Sequence, residues 1–230
     1  LSGQIDGITG MCRQVQRFGW HDVPFAGMVA ERVHLPVWID NNANAFAASQ
    51  HLFGDAQGKA SIVAVALGSG VGAGMVLDNR LYRGASGAAG EFGHSFEECG
   101  RDGCLEAYSA DYGMLATWAE RVPTDRPRSV ADLHAALAAG DSEAAAIVAD
   151  AGFRLGRHIA GLVNTINPDL IVFGGESVDF GDWLFGPIRE VLEEFSYPGA
   201  PPLAVAREGT DWPRGAAALA IQHFFDFEAS

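Results

Sequence analysis

Two short segments concentrate the side chains that could do chemistry. Gly90-Glu91-Phe92-Gly93-His94 and Gly103-Cys104-Leu105-Glu106 bring Glu91, His94 and Glu106 close in sequence. Carboxylates accept hydrogen bonds from hydroxyls, and an imidazole donates or accepts, so the set suits either a polyhydroxylated ligand or a metal. Upstream, Asp40-Asn41-Asn42-Ala43-Asn44 places three amides and a carboxylate where a short apolar run hands over to a helical pattern. In open α/β sheets, ligands are met at such strand ends. A helix cap needs only one of these residues.

His94, Cys99 and Cys104 form a second reading of the same stretch, as three zinc ligands of a knuckle. They are one short of a closed tetrahedral set, and a lone His or Cys pair is often purely structural. Gly68-Ser69-Gly70-Val71-Gly72-Ala73-Gly74 has glycine at every second position. An extended chain turns those positions to one face as bare backbone. Such a strip can offer N–H groups to phosphate oxygens, or can simply let neighbouring elements pack closely. The run fits G-x-G-x-x-G/A, yet a hairpin follows where a dinucleotide-binding helix should open, and no Gly-Lys-Ser/Thr makes it a Walker A loop.

The elements that must position these residues alternate between strand and helix patterns. Glycines at 3, 7, 10 and 19 mark an irregular start, followed by a helical pattern through Phe25, Met28, Val29 and Val33 and a short strand at Val37-Trp38-Ile39. A helix at 43–53, capped by Asn41 or Asn42, precedes strands at 61–67 and 71–77 joined through an Asp78-Asn79 turn to Leu81-Tyr82. A glycine-rich loop at 84–93 and the knuckle at 99–104 come next, then helical patterns broken at Pro123–Pro127. Ser129 caps a helix ending near Gly140, and Asp141 or Ser142 opens a long one to Ile166. A buried strand at 170–173 ends in Gly174-Gly175. A helix at 183–195, a strand at 203–205 and a helix at 215–225 complete an α/β chain.

Composition bounds the function classes. The 230 residues carry 15 Lys and Arg against 29 Asp and Glu, a net charge of −14 that repels phosphate backbones. Three cysteines are too few for a disulfide framework, and no apolar run approaches the length that spans a bilayer. A cytoplasmic chain without membrane contact is expected, and Leu1 in place of Met points to a start inside something longer.

Taken in order, LPVWIDNNANAFA (35–47), ALGSGVGAG (66–74), GASGAAGEFGH (84–94), CGRDGCLEAY (99–108), NPDLIVFGG (167–175) and RGAAALA (214–220) resemble the sugar-binding domain of the ROK family, which includes bacterial repressors and sugar kinases. The resemblance implies an actin-like, ribonuclease-H-like fold with a sugar held between two lobes. Residues 1–41, joined by the last helix at 215–230, would be a remnant of the first lobe, and 42–214 the large second lobe. It further implies that Gly3, Asn41, Asn42, Glu91, His94 and Glu106 line the sugar. Gly68, Ser69, Gly70, Gly72, Gly174 and Gly175 would face the nucleotide in a kinase.

Three departures carry weight. The family's Asp-x-Gly-Gly-Thr phosphate loop and any helix-turn-helix are missing from this sequence. The catalytic Asp of the kinase pattern Asn-Asp-x-Asn is Asn42 here. Glu97 stands where the family zinc motif has its first Cys, and the spacing to His94 is short. The reading these favour is the effector-binding part of a non-catalytic regulator that responds to a monosaccharide. Such a protein would be a homodimer or tetramer, touching DNA only through a module outside this chain. The enzyme reading is an ATP- and magnesium-dependent sugar kinase of the glucokinase or fructokinase kind.

Overall fold

The computed structural model describes residues 1–15, 18–96, 104–123, 128–197, 199–206 and 211–225. The chain opens with strands β1 (Gln4–Asp6), β2 (Met11–Val15) and β3 (Trp20–Val23), paired antiparallel in that order. This corrects the expectation of an irregular start. The strands are only three to five residues long, and a register shift between Gln4 and Ile5 breaks the alternation that marks a strand in sequence. Ile5, Cys12 and Val15 nevertheless point into a small core with Ala26 and Ile39.

Helix α1 (Phe25–Val33) ends at His34, which takes the left-handed conformation. The segment after it corrects a second expectation. Val37-Trp38-Ile39 belongs to neither described sheet. A strand is defined by a partner for its backbone groups, and no described strand runs beside this one.

The main sheet has five strands in the order β6-β5-β4-β7-β8: β4 (Ile62–Leu67), β5 (Val71–Leu77), β6 (Arg80–Tyr82), β7 (Leu170–Gly174) and β8 (Leu203–Val205). β4, β7 and β8 run parallel, whereas β4-β5-β6 is an antiparallel meander. Asp78 and Asn79 both have positive φ, the conformation of a two-residue hairpin turn whose twist matches that of its strands. β4 and β7 are almost wholly apolar because both faces of the sheet are covered.

On one face lie α6 (Ser142–Ile166) and α7 (Asp182–Phe195), backed by α3 (Glu106–Ser109), α4 (Asp111–Arg121) and α5 (Val130–Ala138). The other face carries α2 (Asn42–Phe53) and α8 (Asp211–Phe225), which pack on each other. α8 begins four residues before the expected start at Gly215. It also reaches the first part of the chain, where its His223 stacks on Trp38 at 5.7 Å between ring centroids. Residues 226–230 of the expected last helix lie outside the described residues.

Caps fix the helices that the sequence marks. Ser129 and Asp132 form a reciprocal capping box on α5, and the Asp141 carboxylate accepts from the amides of Glu143 and Ala144 at the start of α6. Among the described residues, no helix is long and apolar enough to cross a membrane.

Candidate functional site

The C-terminal ends of β4 and β7, the start of α2 and the Gly90-Glu91 turn converge on a cleft of about 550 Å³. A cavity of that size holds a small ligand. Its floor is the Leu67–Ala73 segment together with Gly175 and Glu176, and its walls include Ser2, Gly3, Asn41, Asn42, Glu91 and Trp212.

Asn41 ties three pieces of chain together. Its Oδ1 accepts from the Ala43 amide at 2.7 Å and so caps α2. Its Nδ2 donates to the Gly3 carbonyl at 2.9 Å and to Glu91 Oε1 at 3.0 Å. Asp40 is spent on structure: Oδ1 accepts from the Asn41 amide and from Asn44 Nδ2, while Oδ2 pairs with Arg83 Nε at 2.8 Å. Of the four polar residues at 40–44, therefore, Asn41 and Asn42 face the cleft, and Asp40 and Asn44 stand behind them.

Burial pushes the Glu91 carboxyl above the usual carboxylate range, with His94 drawing it down and Glu106 raising it further. His94 is half exposed, its Nε2 3.9 Å from Glu91 Oε2, and lies beside the cleft rather than in its lining. Glu106 also stands behind the wall: its Oε2 accepts from the Val71 amide at 2.8 Å. A methyl group on Gly70 would come within 3.0 Å of that same oxygen. Burial, together with the nearby Glu106 carboxylate, pushes the Tyr112 hydroxyl up to about 12.

The glycine strip divides between the two roles open to it. Gly68, Gly70 and Gly72 line the cleft, with Ser69 among them. A Cβ on Gly74 would lie 2.2 Å from the Ala43 carbonyl, so that position is bare to let β5 meet α2. Gly174 likewise meets the ring of Phe46, while Gly175, at φ +101°, turns the chain into the cleft.

Of the expected zinc ligands, Cys99 lies outside the described residues. Among the described residues no three His, Cys, Asp or Glu side chains are gathered as a metal would need, so His94 and Cys104 do not by themselves build a site. Glu176, Tyr112 and Trp212 were not singled out from the sequence. Glu176 had a usable signal, since it follows Gly175 directly at the end of a buried parallel strand. Trp212 had none, because its place depends on stacking against Phe46 at 4.9 Å.

A sequence model of the ROK family matches residues 1–223. The xylose repressor of Caldicellulosiruptor bescii is 30% identical over 86% of the chain and 54% of its own length. The glucokinase of Halalkalibacterium halodurans is 33% identical over 85% of the chain and 66% of its own length. The chain thus spans between half and two thirds of these relatives. Among solved structures, a ROK family glucokinase from Streptomyces griseus in complex with glucose and AMPPNP superposes with a TM-score of 0.85 at 27% identity, covering 96% of this chain and 80% of that one. A ROK family transcriptional regulator, described as a homolog of the E. coli MLC protein, gives 0.84 at 26% identity, covering 98% and 62%.

Proposed function

Because the chain belongs to the ROK family and has its mixed α/β, actin-like fold, we propose that it is the effector-binding part of a sugar-responsive regulator and does not itself transfer phosphate. The observation that carries this reading is Asn42 in the cleft, next to Asn41 and near Glu91. In the kinase pattern that position is the Asp that takes the hydroxyl proton. An amide is nearly isosteric and still hydrogen-bonds a hydroxyl, but it accepts no proton at working pH. General-base help of this kind is typically worth about 10²–10⁴-fold in rate. Binding can therefore survive where turnover does not, a combination that suits a sensor.

The ligand is a monosaccharide. Asn42 and Glu91 offer donors and an acceptor to its hydroxyls, and the cleft volume fits one ring. The glucose complex of the S. griseus relative supports this choice of ligand class. Such a regulator acts as a dimer or tetramer in the cytoplasm, its DNA contact made by a separate module.

The second reading, an ATP- and magnesium-dependent sugar kinase, is favoured by the cleft-lining Gly68–Gly72 loop and by Glu91. Two measurements separate them. A thermal-shift screen against monosaccharides should find a ligand that, at 100 times its dissociation constant, stabilises by about 2.7 kcal/mol. A coupled assay with that sugar and Mg-ATP should show no phosphorylation above background. Turnover in the usual range of about 1–10³ per second would overturn the sensor reading in favour of the kinase.

A further inference from the structure

Resting on the reading of the cleft as a monosaccharide site, we propose that it selects uncharged ligands, and that Glu176 is the residue that keeps phosphate-bearing ones out. The charges lining the cleft are Glu91 and Glu176; among the described residues no Lys, Arg or His joins them. The Glu176 side chain folds over the bare backbone of the glycine loop, so that its Oε2 would lie 2.3 Å from a Cβ placed on Gly68. That is where a phosphate would have to come to use the loop.

The loop's own donors are partly spent. The Gly68 amide donates to the Gly70 carbonyl at 3.1 Å, and the Val71 amide to Glu106 at 2.8 Å. A phosphate would thus meet carboxylates where it needs N–H groups or cations. Asp111 stands just behind, its amide donating to the Gly68 carbonyl at 2.9 Å and its carboxylate accepting from Ser177 at 2.8 Å. It adds to the negative side of this wall. Hydroxyls suffer no such penalty, because they donate to carboxylates. Discrimination here comes from a repulsive element rather than from an added contact.

Calorimetric titration of the whole chain with the magnesium complex of AMPPNP, with glucose 6-phosphate and with neutral monosaccharides tests the proposal. The parent should show no saturable binding of either phosphate compound at millimolar concentration. Glu176→Gln removes the charge at nearly constant shape and should bring AMPPNP binding into the measurable millimolar range, a gain of at least about tenfold over the parent's limit, the scale expected for one like charge in a partly hydrated site. The gain should shrink in about 0.5 M salt, where exposed charges are screened. Glu176→Asp, which keeps the charge, should bind as poorly as the parent, and Glu176→Ser serves should the Gln variant fail to fold.

Submillimolar AMPPNP binding by the parent, or no gain in the neutral variants, would overturn the proposal. So would magnesium-dependent binding by the parent that is lost in Glu176→Gln, since Glu176 would then be a metal ligand. Failure of every neutral sugar to bind would sink the functional reading instead, and the nucleotide comparison would still decide the role of Glu176.

Discussion

Asn41→Asp separates the two tasks that one side chain performs. The variant keeps an oxygen to accept from the Ala43 amide, so the cap on α2 survives. It loses the Nδ2 donor shared by the Gly3 carbonyl and Glu91 Oε1, and sets a second carboxylate about where that donor stood, 3.0 Å from Glu91. One neutral hydrogen bond is worth about 0.5–1.5 kcal/mol and one to a charged acceptor about 1.5–3, so the loss at neutral pH is about 2–4.5 kcal/mol. For a chain of this size that corresponds to a melting temperature lower by about 4–18 °C.

The pH dependence supplies the sharper test. Burial already holds the Glu91 pKa above its unfolded value, and a facing carboxylate raises it further. A carboxyl with a raised folded pKa contributes stability that is full below its unfolded value and lost as pH rises through the folded one. The penalty in Asn41→Asp should therefore shrink on acidification, when one shared proton restores a hydrogen bond between the two groups. Calorimetric melting of parent and variant across a pH series rising from the ordinary carboxylate range would show the gap widening with pH. Equal melting points at both ends, or a gap constant with pH, would refute the reasoning.

Other perturbations address other parts of the structure. Asp6 is held down at about 2, against an ordinary 3.8, by hydrogen bonds from Thr9 and Arg13. Its contribution is present above the ordinary value and lost as pH falls through the folded one, so Asp6→Asn should flatten the acid limb of a stability profile between those values. Gly90→Ala should destabilise by at least about 2 kcal/mol in urea unfolding, since it combines a left-handed backbone with a forced shift. The glycine has φ +87°, and its new methyl would meet the Ala73 carbonyl at 1.7 Å. Glu106→Ala leaves the Val71 amide without its acceptor and should cost about 1–3 kcal/mol as well as weaken sugar binding. A variant with the parent's melting point and affinity would remove Glu106 from the site.

The sequence by itself determined the long helices, the central strands and the composition of the cleft, because these rest on local physics. Asp141 and Asn167 bound α6 by capping and by a left-handed stop, and β4 and β7 are unbroken apolar runs that only a doubly covered sheet accommodates. The Asn41-Asn42 and Gly90-Glu91 segments were legible because polar groups and glycines crowd at element boundaries. What tertiary structure alone decided was which of these groups face the ligand. Asp40 and Asn44 turn to each other and to Arg83, and Glu106 braces Val71 from behind; sequence distance does not record such partners. The first sheet was hidden because its strands are short and bulged. The apolar run at Val37–Ile39 reads as a strand, yet whether it is one depends on a neighbour. A side chain's chemistry is local, but its direction and its partners are set by elements that meet only when the chain folds.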